Sequence, residues 1–279
     1  MRRASIGGSI GYYAFAVLCG VVMILPFLWT LSTALTTEGA LFFFPPSSIP
    51  KPVEWDNFVK AWSLVPFPRL FVNSIVVSTS VTLLSLALCG TAAFAFARLR
   101  FRGSNALFVL YLSTLMIPTS VTLIPSFIVV RILGWLNTYA GLIVPAACAG
   151  VGFGTFLLRQ FYISIPRELD EAAWMDGAGA WRIFLQIVLP LGKPALVTLG
   201  IYTLVTNWNN LLWALVVISK EEMKTLTLAL ATMTSAVLYI PPWNQVMAAT
   251  LIGIVPVLLV FVIAQRYFIQ AMTLSGLKG

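Results

Sequence analysis

Six stretches of this chain carry no charged residue: 11–37, 70–97, 103–130, 132–158, 194–219 and 225–265. Each exceeds the roughly 20 apolar residues that cross the hydrocarbon core of a bilayer. Backbone amides in lipid must be satisfied within the structure, and these runs are continuously apolar rather than alternating, so helices are expected and a barrel is not. The windows predict six transmembrane helices, at about 11–35, 70–97, 105–130, 139–160, 194–217 and 245–265. Six such windows in 279 residues leave too little polar surface for a soluble fold. Apolar residues make up 59% of the chain and charged residues 9%, against about 25% charged in ordinary soluble domains. The expected class is an all-α integral membrane protein.

The remaining charges set the orientation, because cytosolic segments are enriched in Lys and Arg. With the N-terminus inside, the inner segments hold Arg2, Arg3, Arg98, Arg100, Arg102, Arg159, Arg167, Arg182, Lys193, Arg266 and Lys278. The outer segments hold Lys51, Lys60, Arg69, Arg131, Lys220 and Lys224, a division of 11 against 6. Both termini are therefore expected in the cytosol, and the net charge of +8 reads as a topology signal that needs no nucleic acid to explain it. The first apolar stretch is too long for a signal-peptide core, and no small-residue cleavage site follows it. Cys19, Cys89 and Cys148 fall inside expected spans, giving neither a disulfide framework nor metal-ligand spacing. With no histidine in the chain, no metal or haem site is expected.

Between the spans, the segment 37–69 carries Phe44-Pro45-Pro46 and Ile49-Pro50-Lys51-Pro52, then Glu54-Trp55-Asp56-Asn57-Phe58. It reads as an extended crossing followed by a short amphipathic turn. Residues 220–244 are Thr-rich and end in Ile240-Pro241-Pro242-Trp243. An outer loop folded over the channel mouth is expected there, since a seventh span would place Arg266 and Lys278 outside. Pro118 and Pro125 lie on one face of the third span and permit kinks. Asn207, Trp208, Asn209, Asn210 and Trp213 gather in the fifth span, where amides facing lipid are costly, so some should face protein or a solute path. Gly90, Gly141, Gly150, Gly152 and Gly154 read as sites of close helix packing.

Charge and helix signals concentrate in the segment 162–193. Ser164-Ile165-Pro166-Arg167-Glu168-Leu169-Asp170-Glu171 opens like a helix, with Ser164 as N-cap, Pro166 near the first turn and acids following. Leu169, Ala172, Ala173 and Asp176 continue at helical spacing, and Gly177 supplies a turn. A second helix is expected from Ala180, carrying Ile183, Phe184, Ile187 and Val188, with Pro190 and Pro194 ending it. The result is a helix–turn–helix hairpin at the cytosolic face.

The string Glu171-Ala172-Ala173, Asp176-Gly177-Ala178, then Ile187, Leu189-Pro190-Leu191 and Pro194, resembles the EAA loop of ABC-importer permeases. The likeness extends to Asn73-Ser74, to the run from Ala92 to Gly103, and to Met116-Ile117-Pro118. It also takes in Leu133-Gly134-Trp135-Leu136-Asn137-Thr138, Phe156-Leu157-Leu158-Arg159, Trp208-Asn209-Asn210 and the ending Gly276-Leu277-Lys278-Gly279. The chain looks like the second permease of a carbohydrate importer, the maltose-type G subunit, with Ala214 where proline is usual and Asn210 where Asp is common.

This resemblance implies a type I ABC-importer permease fold in a prokaryotic inner membrane. It implies an N-terminal helix and outer loop over 1–68, a five-helix core over 69–269 with a coupling loop at 162–193, and a cytosolic tail at 270–279. The implied partners are a second permease, two cytosolic ATPase subunits and an extracytoplasmic solute-binding protein. ATP and magnesium would belong to the ATPases, and this chain itself would hold no cofactor. Glu168, Leu169, Glu171, Ala172, Ala173, Met175, Asp176, Gly177 and Ala178 would dock on the ATPase, with Glu171 making a charged contact and Gly177 setting the turn.

An ion-coupled secondary transporter is the alternative. Its coupling would need an ionisable group near the midplane. All nine acids, Glu38, Glu54, Asp56, Glu168, Asp170, Glu171, Asp176, Glu221 and Glu222, fall in expected loops, and no histidine can relay a proton. A membrane-embedded enzyme lacks a credible nucleophile–base pair, and without a phosphate-binding glycine run any ATP must be hydrolysed by another chain.

Overall fold

Residues 6–42, 50–234 and 241–276 are described in the computed structural model, and every regular element among them is helical. Arg2, Arg3, Phe44-Pro45-Pro46, Ile49, Ile240 and Lys278 lie outside the described residues. In chain order the helices are α1 (Ile6–Ala34), α2 (Asp56–Leu64), α3 (Phe67–Arg98), α4 (Ser104–Ser113), α5 (Thr119–Ile132), α6 (Tyr139–Ala149) and α7 (Val151–Ser164). There follow α8 (Glu168–Met175), α9 (Ala180–Leu191), α10 (Lys193–Trp208), α11 (Leu211–Val217), α12 (Leu226–Thr234) and α13 (Trp243–Gly276). Segments of α1, α3 and α13 are long and apolar enough to cross a membrane unbroken. Three bent pairs complete up to six spans.

The bends have identifiable causes. The third span turns by 98° between its halves. Ile117 is extended at the break, as a residue preceding proline is pushed to be, and Pro118 opens α5. Pro125 lies within α5 without ending it, so only one of the two expected prolines breaks the span. The α6–α7 pair bends by 48° at Gly150. The expected continuous helix at 194–217 is not one helix. It breaks at Asn209-Asn210, and the Asn210 side chain accepts from the Trp213 amide at 3.3 Å to cap α11. Asparagine satisfies a helix start better than a helix interior, so the amides that looked costly in lipid end the helix instead. Among the described residues helix α12 has nine residues, about 14 Å of rise, which alone do not cross a bilayer. Residues 235–240 of that stretch lie outside the described residues. The expected tail at 270–279 continues helically to Gly276, and 277–279 lie outside.

The chain divides into two compact units. One comprises residues 1–68 and 230–255. Here the last carbonyls of α1, which have no partner within the helix, are taken by α2. Asn57 Nδ2 donates to the carbonyls of Ala34 at 2.9 Å and Thr36 at 3.0 Å. Asn244 Nδ2 donates in turn to Asn57 Oδ1 at 3.1 Å. From residue 11 to residue 30 no residue of α1 is buried.

The other unit comprises residues 69–229 and 256–279. One cluster joins Cys89, Ala93, Phe94, Leu158, Tyr162, Phe184 and Leu199, packing α3 with α7, α9 and α10. A second joins Val77, Val81, Val130, Leu142, Val217 and Leu228. Glycines at the crossings differ sharply. A Cβ on Gly154 would come within 2.5 Å of Cys89 Sγ, whereas Gly150 has nothing within 4 Å. Close packing therefore holds at Gly154 and not at Gly150. Asn73 and Ser74, at the start of α3, pin the segment before α12. Asn73 Nδ2 donates to the carbonyls of Glu222 and Lys224 at 2.9 Å each, and Ser74 Oγ accepts from the Leu226 amide at 2.8 Å.

Candidate docking hairpin and solute cavity

The hairpin forms at 165–192 with one change at its entry. Ser164 Oγ donates to the Phe161 carbonyl at 2.7 Å, so it closes α7 and does not cap α8. Its short side chain reaches back one turn, which is the competing use of serine at a helix end. Glu168, Asp170 and Glu171 occupy the first turn of α8, where carboxylates favour the positive end of the helix. Gly177 has φ +78°, Gly177 N donates to the Trp174 carbonyl at 3.0 Å, and Ala178 N donates to the Ala173 carbonyl at 2.9 Å. This paired return needs a residue that tolerates left-handed backbone. Helix α9 then carries Ile183, Phe184 and Val188 into the core. Pro190 lies inside α9 rather than ending it, and residues Phe184–Val188 take the wider π register. That register accommodates a missing amide donor. Gly192 ends the helix, and α10 leaves at 77°.

Helix α8 exposes large apolar residues beside its charged ones. Leu169, Trp174 and Met175 are exposed, Met175 to 89%. Glu168, Glu171, Ala172, Asp176 and Gly177 are exposed as well, while Ala173 and Ala178 are half-buried against the core. The one buried residue of α8 is a charged one, Asp170. Its Oδ2 lies 3.1 Å from Arg98 Nη1 at the end of α3, with side-chain exposures of 3% for Arg98 and 8% for Asp170. Arg98 Nη2 also donates to the Ile165 carbonyl at 2.8 Å. Burial pushes the Asp170 carboxyl above its ordinary value, while Arg98 and then Arg167 pull it back. Sequence reasoning missed this pair. Arg98 reads as an orientation marker, yet Asp170 and Ala173 share one face of α8 by their spacing, and that face is the inner one.

A cavity of about 420 Å³ opens where the broken spans meet. It is lined by Thr119, Thr122 and Ser126 of α5, Pro145 of α6, Thr206 of α10, and Asn209, Asn210 and Trp213 at the break. No charged side chain lines it. Of the five residues expected along a solute path, three line this cavity and two do not. Trp208 is buried edge-on against Phe71 with ring centroids 5.8 Å apart, and Asn207 Nδ2 donates back to the Thr203 carbonyl at 2.8 Å. Trp213 is fixed by its indole N–H, which donates to the Gly141 carbonyl at 3.0 Å. The threonine and serine hydroxyls escaped sequence reasoning because hydroxyls are common in transmembrane helices.

Known proteins match most of the chain. The family described as binding-protein-dependent transport system inner membrane component matches residues 87–274, which include the hairpin and the break at Asn209-Asn210. The arabinooligosaccharides transport system permease protein AraQ of Halalkalibacterium halodurans is 35% identical over 249 residues, 89% of this chain and 86% of that protein. The sn-glycerol-3-phosphate transport system permease protein UgpE of Yersinia pestis is 34% identical over 263 residues, covering 92% of this chain and 93% of that protein. A bacterial ABC transporter involved in import of the acidic polysaccharide alginate shares the fold with TM-score 0.83 at 24% identity, over 96% of this chain and 100% of that one. Multi-pass apolar helices, the hairpin sequence and these matches converge, and the chain belongs to the inner-membrane permease family of binding-protein-dependent ABC importers.

Proposed function

We propose that the chain forms half of the path for an uncharged carbohydrate and that α8 is the element through which cytosolic ATPase subunits drive it. The observation that carries this reading is that α8 leaves Leu169, Trp174 and Met175 exposed while burying Asp170. Large apolar residues crowded at the exposed surface of one short helix outside the spans mark a protein contact. Glu168, Glu171 and Asp176 would supply its charged rim, and Gly177 and Ala178 its fixed turn. Both termini then lie in the cytosol, a second permease completes the path, and the ATPases hold ATP and magnesium. The segment before α12 would meet the solute-binding protein. The cavity at Asn209, Asn210 and Trp213 offers hydroxyls, amides and an aromatic face without charge. That chemistry suits a neutral sugar, as in the name of AraQ, better than the phosphate in the name of UgpE.

Native purification of the tagged chain, with its partners identified by mass spectrometry, tests the assembly. An ATPase, a second permease and a binding protein are expected. Recovery of the chain alone, active in solute flux without ATP, would overturn the hairpin reading in favour of the ion-coupled carrier. Glu171→Lys is expected to leave the chain in the membrane and to abolish solute-stimulated ATPase activity. A reversed charge in a docking cleft costs on the order of 3–5 kcal/mol, the scale of a broken buried pair. Wild-type stimulation in that variant would remove Glu171 from the contact.

A further inference from the structure

We propose that a basic cavity beside the hairpin binds the phosphodiester headgroup of an anionic phospholipid. The cavity encloses about 680 Å³ between the end of α3, the start of α4, and α7 with the residues that follow it. Arg100, Arg102, Arg159 and Arg167 line it, and no carboxylate does. Asp170, the buried acid of α8, is already turned to Arg98. Four guanidinium groups around one concavity repel each other and are stabilised by an oxyanion, to which arginine donates in a fixed fork.

Two features show a shaped site. Arg159 is held in place before any ligand arrives. Its Nε donates to the Phe96 carbonyl at 3.3 Å, and its guanidinium lies 4.1 Å from the centre of the Phe108 ring. Helix α4 also starts at the cavity wall, where Ser104, Asn105 and Ala106 line it and no side chain caps the helix. Ser104 N donates to the Phe101 carbonyl at 3.3 Å, which leaves the Asn105 and Ala106 amides of the first turn to an oxygen ligand. Phe101 and Ile163 line the same cavity and are exposed to 41% and 47%. An apolar flank beside the cationic wall distinguishes a lipid from a free phosphate, because the glycerol and first methylenes need a dry surface. Basic pockets between transmembrane helices at a cytosolic face are suited to such headgroups. The lipid assignment rests on the proposed placement of the hairpin at the cytosolic membrane face.

The test is native mass spectrometry of the full chain, purified in mild detergent with its partners, titrated with phosphatidylglycerol, phosphatidylcholine or inorganic phosphate. The readout needs neither solute nor ATP hydrolysis, so it can fail while the importer reading stands, and the reverse. Phosphatidylglycerol is expected to bind and phosphatidylcholine not to. Arg100→Gln with Arg102→Gln, two exposed positions, is expected to weaken binding about tenfold or more, given the attraction of each basic residue for anionic lipid. Arg131→Gln, a basic residue at the far end of α5, is expected to change nothing. Equal binding of the two lipids, or equal loss in Arg131→Gln, overturns the site. Displacement of the lipid by millimolar phosphate overturns the headgroup assignment in favour of a free anion. Absence of lipid only when an ATPase co-purifies would show the cavity to be a protein contact, and would overturn it too.

Discussion

Arg98→Ala is expected to release α8 from the body of the protein while leaving the spans folded. The substitution strands the Asp170 carboxylate in a site where its side chain is 8% exposed. Breaking one side of a buried pair costs about 3–5 kcal/mol, because the remaining charge is both desolvated and unpaired. The Ile165 carbonyl loses its donor as well. Hydrogen exchange of residues 168–175 should accelerate strongly, and solute-stimulated ATP hydrolysis should fall with it. The pair is itself incompletely satisfied, since Arg98 Nε and Asp170 Oδ1 have no hydrogen-bond partner among the described residues. Arg98→Met combined with Asp170→Leu is therefore expected to recover most of the lost stability, as apolar replacements of buried pairs commonly do. Unchanged exchange across α8 in Arg98→Ala would show that the hairpin is held by something else.

Gly141→Ala is expected to be the most damaging addition of a single methyl group to the second unit. An added Cβ would overlap the Trp135 carbonyl oxygen and sit 3.2 Å from Val217 Cγ1. The backbone there cannot easily yield. Trp135 N donates to the Val130 carbonyl at 2.9 Å, and Thr138 Oγ1 donates to the Trp135 carbonyl at 2.8 Å. Relief must come from moving α6, which breaks the bond from the Trp213 indole to the Gly141 carbonyl. Overpacking of this kind costs about 3 kcal/mol. Thermal unfolding in detergent should show the loss, and solute binding should weaken because Trp213 lines the cavity. Gly150→Ala is the matched control, with right-handed backbone and open space at its Cβ position. It should be neutral or slightly stabilising, by up to about 1 kcal/mol. Similar melting of the two variants would contradict the close approach at Gly141.

The helical class was legible because charge-free length is a property of sequence alone. The interruptions were legible only in part. Pro118 announces a break chemically, but nothing local says that it turns the chain by 98° while Pro125 does not end its helix. Asn209-Asn210 looked like polar cargo inside one span, and its capping role appears only when the chain is seen to stop and restart there. In the hairpin, Gly177 was readable because a turn after a short helix asks for left-handed backbone. Asp170 was not, because its partner lies 72 positions earlier in the chain, at Arg98. Asn73 and Ser74 were noticed as a family resemblance. Their physical task, holding backbone groups between Glu222 and Leu226, is a long-range one that no local pattern encodes.

The apolar residues that α8 exposes have a consequence for how many copies of the chain a cell keeps. If α8 is the docking element proposed above, a subunit with Leu169, Trp174 and Met175 exposed is sticky until its partner covers them. Chaperones and proteases that survey exposed apolar surface act on such orphans, and abundance follows whatever remains shielded. On that docking role the helix doubles as a stoichiometry gauge, because surplus copies lack the cover that spares assembled ones.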